Sequence, residues 1–206
     1  RAGKKAFVVY IGAGDPNLTA THQFALAFDQ AGVDILELGV PFSDPTADGV
    51  AIQKASERAL RAGTTLKGVL EAVRRARMRT AVPIVLFGYY NPILAYGETR
   101  FAADAADAGV DGLLVVDLPP EEAAPLWDPA RDQGLDWIPL VAPTSTEARL
   151  RAAREVATSM VYYVSLTGVT GERAQPPADL TRKIRPAKAA VDLPVQVGFG
   201  NGTTEQ

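Results

Sequence analysis

Several residue types are scarce in this chain of 206 residues, and each scarcity removes a class of chemistry. The chain has no cysteine, which excludes disulfides, thiolate metal ligands and cysteine nucleophiles. Its single histidine, His22, is too little for a typical zinc site. The longest apolar runs, such as residues 7–11, are much shorter than the roughly 20 residues that span a bilayer. The composition fits a cytoplasmic protein that has no resident metal.

Charge is balanced and dispersed along the chain. There are 21 Lys plus Arg against 24 Asp plus Glu, and neither sign forms a long run. A basic stripe for nucleic acid is therefore missing, and we expect a small-molecule substrate. None of the lysines ends a predicted strand, where a Schiff-base enzyme of the barrel type would need one.

Short β-branched runs alternate with longer amphipathic segments. The runs predict seven strands, at residues 6–11, 34–38, 84–87, 112–116, 137–141, 161–165 and 195–197. The amphipathic segments predict helices at residues 19–31, 65–77, 99–108, 121–133, 145–156 and 178–189, with Thr19, Asp48, Thr65 and Ser145 as N-cap candidates. A Gly-Val-Asp or Gly-Leu-Asp step joins helix to strand at Asp34, Asp111 and Asp136.

This repeat predicts an α/β fold, a (β/α)8 TIM barrel, as a single domain over residues 1–206. The strands are almost continuously apolar, as strands buried on both faces of a parallel sheet must be. An open doubly wound sheet is the alternative. It usually has a glycine-rich dinucleotide turn after the first strand, and the turn at residues 12–16, Gly-Ala-Gly-Asp-Pro, does not match one. Seven units are one short of a closed barrel, so we expect the eighth βα unit to be missing from the chain.

Glu37 is the outstanding candidate for catalysis. It lies in the apolar run of residues 33–38, near the carboxyl end of the second strand, where barrel enzymes place their active sites. Burial would raise its pKa and make it an acid-base group near neutral pH. The alternative is a glutamate neutralised by a buried arginine or by hydrogen bonds.

Two further features surround the predicted site. The loop of residues 39–49 contains Asp44 and Asp48, and either one is a candidate for a second carboxylate with a different role; for Asp48 a plain N-cap is the alternative. Glycine turns at residues 167–171 and 198–202 suggest a phosphate site, although each one alone fits an ordinary turn. Tyr162 and Tyr163 must point to opposite faces of their strand.

The run Leu-Glu-Leu-Gly-Val-Pro-Phe-Ser-Asp-Pro at residues 36–45, followed by Ala-Asp-Gly at residues 47–49, resembles the signature of the tryptophan synthase alpha subunit family. Shorter matches continue along the chain, at Gly-Asp-Pro 14–16, Asn-Pro 91–92, Asp-Leu-Pro 117–119, Thr-Gly-Val-Thr-Gly 167–171 and Gly-Phe-Gly 198–200. The resemblance implies an indole-3-glycerol phosphate lyase of tryptophan biosynthesis, with Glu37 as its acid-base group and Asp48 as the partner carboxylate. It also implies that the N-terminal plug helix of the family is missing here.

The resemblance carries over further site residues. The residues that it places around the substrate are Tyr10, Phe87, Leu114, Leu140, Tyr162, Thr170, Gly171, Phe199 and Gly200. Tyr10, Phe87, Leu114, Leu140 and Phe199 would border the indole ring. Tyr162 would lie near the glutamate, and Thr170 would lie on a loop that closes against Asp48. Gly171 and Gly200 would donate backbone N–H groups to the phosphate.

A partner is implied by the same resemblance. Family members work in an α2β2 heterotetramer with a beta subunit that holds pyridoxal phosphate, whereas the alpha subunit needs no cofactor. Contacts with the partner are implied around Asp44, Pro45, Asn91 and Pro119. Two other functions remain open from the sequence: a stand-alone lyase, and a weakly active subunit that mainly activates its partner allosterically.

Overall fold

Parallel β-strands form the centre of the molecule in a computed structural model, which describes residues 5–164, 172–173, 180–198 and 200–201. The strands are β1 Val8–Gly12, β2 Ile35–Gly39, β3 Ile84–Gly88, β4 Gly112–Val115, β5 Asp136–Trp137, β6 Leu140–Val141, β7 Val161–Val164, β8 Glu172–Arg173, β9 Val195–Gly198 and β10 Gly200–Asn201. The helices are α1 Leu18–Gln30, α2 Val50–Arg61, α3 Leu66–Arg77, α4 Tyr90–Tyr96, α5 Glu98–Ala108, α6 Ala124–Asp132, α7 Glu147–Val156 and α8 Leu180–Val191, with a 3₁₀ turn at Pro120–Glu122.

Neighbouring strands within each sheet pair in parallel. The orders are β1-β2-β3-β4-β5 and β6-β7-β9, while β8 pairs with β10. The predicted strand 137–141 is divided into β5 and β6 at Pro139, which has no N–H to donate. Hydrogen bonds still cross this break, from the N–H of Ile138 to the oxygen of Leu113 at 2.9 Å and from the N–H of Tyr162 to the oxygen of Pro139 at 3.0 Å. All seven predicted strand positions are present, in the order expected of a barrel.

Side chains from the two faces of the strands enter different apolar layers. Residues such as Leu36, Leu38 and Trp137 pack outward against the helices. A separate set, which we call the inner cluster, comprises Val85, Leu114, Ile138 and Met160 together with the partly buried Ile35, Phe87, Val116, Leu140 and Tyr162. Tyr163 packs in the outer layer beside α8, so the two tyrosines do point to opposite faces, as predicted. Strand alternation thus separates the residues that stabilise the protein from those that line its interior.

Aspartates at the strand starts tie neighbouring strands together. Asp34 accepts a hydrogen bond from the N–H of Phe7 at 2.9 Å, and Asp111 accepts one from the N–H of Ile84 at 2.7 Å. Asp111 also pairs with Arg77, whose guanidinium donates at 2.6 Å to the backbone oxygens of both Val82 and Gly109. The repeated aspartates in the sequence therefore have a structural role at the amino ends of the strands.

Helix starts differ from the predictions in several places. Thr65 caps α3 as predicted, but α1 is capped by Asn17 rather than Thr19, and α7 by Thr146 rather than Ser145. In each case the capping oxygen accepts a backbone N–H three residues further on. Gly49, and not Asp48, is the N-cap residue of α2.

Two helices, α2 and α4, were absent from the predicted set. The seven-residue helix α4 begins where the N–H of Tyr90 donates to the Asp117 carboxylate at 2.7 Å. This cap comes from the loop after the next strand, so local sequence does not reveal it. None of the helices in the described ranges has the length and apolarity that crossing a membrane requires.

Candidate active site

Glu37 projects from β2 into the inner face of the sheet. Its neighbours Leu36 and Leu38 are 0% and 1% exposed against the outer layer, so alternation turns Glu37 inward. It lies level with Tyr10 on β1 and with Val85 on β3. The Glu37 side chain is buried at 3% exposure, which places a carboxyl group in an apolar surrounding.

Burial dominates the electrostatics of Glu37. It raises the pKa of the carboxyl group to about 7, and a hydrogen bond from Gln196 partly opposes this shift. Gln196 Nε2 donates to Glu37 Oε1 at 2.7 Å. No ion pair within the described ranges involves Glu37, so the alternative of a buried arginine partner finds no support there. Glu37 therefore has both protonation states available near neutral pH.

Three aromatic rings line the space beside Glu37. The Phe87 ring meets the Tyr10 ring at a centroid distance of 5.3 Å and the Tyr162 ring at 5.6 Å, both edge to face. Burial and the nearby carboxylates of Glu37 and Asp48 raise the pKa of both tyrosine hydroxyls. Both phenols are therefore neutral at physiological pH, and each can donate a hydrogen bond.

Two glycines make room for the tyrosine hydroxyls. A Cβ atom on Gly39 would overlap the hydroxyl of Tyr10, and one on Gly198 would overlap the hydroxyl of Tyr162. Both glycines end their strands, at β2 and β9. The missing side chains let the phenol rings reach across the carboxyl end of the sheet.

Asp48 lies half-buried in the loop between β2 and α2. Burial raises the pKa of its carboxyl group, and a hydrogen bond from Tyr89 acts in the opposite direction. The same hydroxyl accepts the N–H of Ala47 at 3.0 Å, and the Tyr89 ring packs on Phe42 at 5.3 Å. Since Gly49 holds the N-cap position, the N-cap alternative for Asp48 is wrong.

The structure also separates the two carboxylates of this loop. Asp44 is exposed, and its carboxylate accepts a hydrogen bond from the adjacent Ser43 hydroxyl at 2.5 Å. Asp48, by contrast, influences the pKa values of Tyr10, Tyr89 and Tyr162. Asp48 is therefore the loop carboxylate that acts on Tyr10 and Tyr162, the two phenols beside Glu37.

The apolar residues predicted around the substrate come together. Leu114 is fully buried in the inner cluster, where Phe87, Leu140 and Tyr162 pack against it. A cavity of about 460 Å³ opens at the carboxyl ends of β4, β6 and β7, and Leu140 lines it as well. Val116 and Leu140 belong both to the inner cluster and to the wall of this cavity, whereas Glu37 and Asp48 do not line it.

The predicted phosphate residues are only partly covered by the structure. Thr170, Gly171 and Phe199 lie outside the described residues. Gly200 begins β10 and pairs with Glu172 of β8. This pairing places the backbone that follows the first glycine turn beside the second turn, as a shared phosphate site would require.

Two residues at the site, Tyr89 and Gln196, are not among the predicted site residues. Tyr89 supports the Asp48 loop, and nothing local to its sequence indicates that contact. Gln196 stands between two valines of β9, and it is a polar residue inside an apolar strand. The same signal singled out Glu37, so it could have identified Gln196.

Comparison with known proteins gives one consistent result. The family model for the tryptophan synthase alpha chain matches residues 1–206. The alpha chain from Geobacter sulfurreducens is 55% identical over 203 residues, which cover 98% of this chain and 77% of that one. The alpha chain from Citrifermentans bemidjiense is 53% identical over 204 residues, or 99% of this chain and 76% of that one.

A solved structure shares the fold. A chain from the tryptophan synthase α2β2 complex of Pyrococcus furiosus superimposes with a TM-score of 0.90 at 41% identity, covering 97% of this chain and 80% of its own. This likeness confirms the predicted α/β barrel class.

Proposed function

The chain belongs to the tryptophan synthase alpha chain family, and on that premise we propose that it is a lyase that cleaves indole-3-glycerol phosphate to indole and glyceraldehyde 3-phosphate. The observation that carries the proposal is Glu37, a buried carboxyl group with a pKa raised to about 7 beside an aromatic wall. A group with this pKa can both give and take a proton at physiological pH.

Glu37 performs both proton transfers of the cleavage. As an acid, it protonates C3 of the indole ring, which leaves the ring nitrogen as a positively charged iminium. As a base, it removes the proton of the glycerol hydroxyl next to the scissile bond. The bond between C3 and that carbon then breaks, its electrons return to the ring, and the hydroxyl carbon becomes an aldehyde. One proton enters and one leaves, so the reaction balances without a cofactor.

Asp48 stabilises the charge that develops on the ring. In our proposal its carboxylate accepts a hydrogen bond from the indole N–H, and this bond strengthens as the nitrogen becomes positive. The hydrogen bond from Tyr89 supports this role, because it holds the half-buried Asp48 carboxylate where it acts on Tyr10 and Tyr162, the two phenols beside Glu37. The two carboxylates thus have separate tasks, one in proton transfer and the other in electrostatic stabilisation.

The remaining site residues bind the substrate. Phe87, Leu114 and Leu140 provide apolar area for the indole ring, with Tyr10 and Phe199 at its border and Tyr162 near Glu37. Thr170 is a further substrate-site residue in this proposal, as the family resemblance implies. The backbone N–H groups of Gly171 and Gly200 bind the phosphate, which the pairing of Gly200 with Glu172 supports.

A beta subunit is the expected partner, in an α2β2 complex like the one from Pyrococcus furiosus, which is described as mutually activating. Asp44 and Asn91 are exposed, and Pro45 and Pro119 are half-buried. Asp44, Pro45 and Pro119 lie on the loops after β2 and β4, and Asn91 lies in the first turn of α4, which follows β3. These loops follow the carboxyl ends of the strands, so a partner bound there would lie close to the mouth of the site. Pyridoxal phosphate would belong to that partner.

Substitution of Glu37 by glutamine tests the proposal. Glutamine keeps the size of the side chain and cannot exchange the proton, so indole release should fall about 1,000-fold. Glu57→Gln is a matched control, because Glu57 is an exposed residue of α2 paired with Arg61. Indole formation should be measured with and without a beta subunit. Near-normal turnover by Glu37→Gln in both cases would end the proposal.

A further inference from the structure

Gln196 points into the barrel from β9, which belongs to a different sheet from β2, the strand of Glu37. Its neighbours Val195 and Val197 pack against the outer layer with α8, so alternation turns Gln196 inward. It lies level with Tyr162 on β7. One hydrogen bond of 2.7 Å across the inner face thus joins Glu37 and Gln196, which are 159 positions apart in the sequence.

The amide of Gln196 is only half satisfied. Its Nε2 donates to Glu37, whereas its Oε1 is buried and has no hydrogen-bond partner among the described residues. An unpaired buried amide oxygen costs free energy, and a leucine or methionine of similar size would avoid that cost. A residue that served packing alone would not carry such an oxygen, so the contact with Glu37 is the feature that this position provides.

We propose that Gln196 is a positioning residue, which fixes the orientation of the Glu37 carboxylate and stabilises its ionised form. The other side chains that face Glu37 within the described part of the chain are not amides. Tyr10 from β1 and Tyr162 from β7 are neutral phenols, and β3 contributes the apolar Val85 and Phe87. Asp48, from the loop after β2, acts on the same two phenols. Gln196 is therefore the amide donor that counters burial.

The catalytic consequence rests on the proposed lyase function. The hydrogen bond lowers the pKa of Glu37 towards neutrality, against a desolvation that raises it. Without the bond, the carboxyl group would hold its proton more tightly and serve poorly as a base. It would also lose the restraint that aims it at the substrate.

Gln196→Met separates this role from a structural one. Methionine has a similar length and no N–H, so the pH profile of indole release should move about one pH unit higher at the limb that reports Glu37. We expect kcat to fall about tenfold with little change in KM. Gln133→Met, at an exposed position after α6, is the matched control and should leave the profile unchanged. Gln196→Asn, whose amide is one methylene shorter, should recover part of the loss.

A second measurement does not depend on turnover. Carbon-13 NMR of the Glu37 carboxyl group, assigned by its loss in Glu37→Gln, gives the pKa directly in each variant. The carboxyl pKa should be higher in Gln196→Met than in the unchanged chain, and Gln196→Leu replaces the methionine variant if that one does not fold. An unchanged NMR pKa would overturn the proposal. If the NMR pKa is raised in Gln196→Met but the unchanged chain releases no indole, the proposed lyase function is wrong and the role of Gln196 still holds.

Discussion

Carboxylates at the two ends of the strands differ in their partners and in their burial. At the amino ends, Asp34 and Asp111 bind backbone N–H groups, and Asp111 also pairs with Arg77. At the carboxyl end, Glu37 is buried and receives a hydrogen bond from a neutral amide. The paired carboxylates stabilise the fold, whereas the buried one is destabilised in its charged form. The side chains are chemically alike, so their partners decide which is structural and which is poised for proton transfer.

The largest expected effect is the pH dependence that Glu37 gives to the free energy of unfolding. Its folded pKa of about 7 lies above the ordinary value of 4.5, so its favourable contribution is complete below pH 4.5 and is lost as the pH rises through 7. Glu37→Gln should therefore match the unchanged chain near pH 4.5 and exceed it by about 3 kcal/mol above pH 8, as an upper value. Urea unfolding at several pH values measures this difference. Equal curves for both proteins at all pH values would show that Glu37 is not destabilised by burial.

Asp111→Ala should have the opposite, smaller effect. It removes the acceptor of the Ile84 N–H and the partner of Arg77, so the free energy of unfolding should fall by about 1–2 kcal/mol. The rate of indole release at a temperature well below unfolding should stay unchanged. Asp107→Ala, which breaks only an exposed pair with Arg74, is the control and should cost less than about 0.5 kcal/mol. Loss of activity in Asp111→Ala without loss of stability would break the division between the two ends.

Much of the barrel is predictable from its sequence, because strands buried on both faces are continuous apolar runs. All seven strand positions follow from that pattern. The break at Pro139 and the helix α4 do not, since one depends on how the ladder passes a proline and the other on a cap from Asp117. Local propensity carries no information about such tertiary partners.

The site divides in the same way. Glu37 is predictable as a site residue, because burying a charged side chain within an apolar strand costs free energy and so indicates a function. The choice between Asp44 and Asp48 is not predictable from the residues alone, because the Tyr89 hydroxyl and the Phe42 ring set the course of the loop. Gln196 shares the pattern of Glu37, but an uncharged amide draws less attention than a carboxylate.

The binding of indole-3-propanol phosphate tests the central claim most directly, because this analogue lacks the hydroxyl that cleavage requires. A crystal structure of the complex should show the indole ring between Glu37 and Asp48, packed on Phe87 and Leu114, with the phosphate at Gly171 and Gly200. An indole ring bound elsewhere, with Glu37 turned to solvent or held by a cation, would contradict the proposed mechanism.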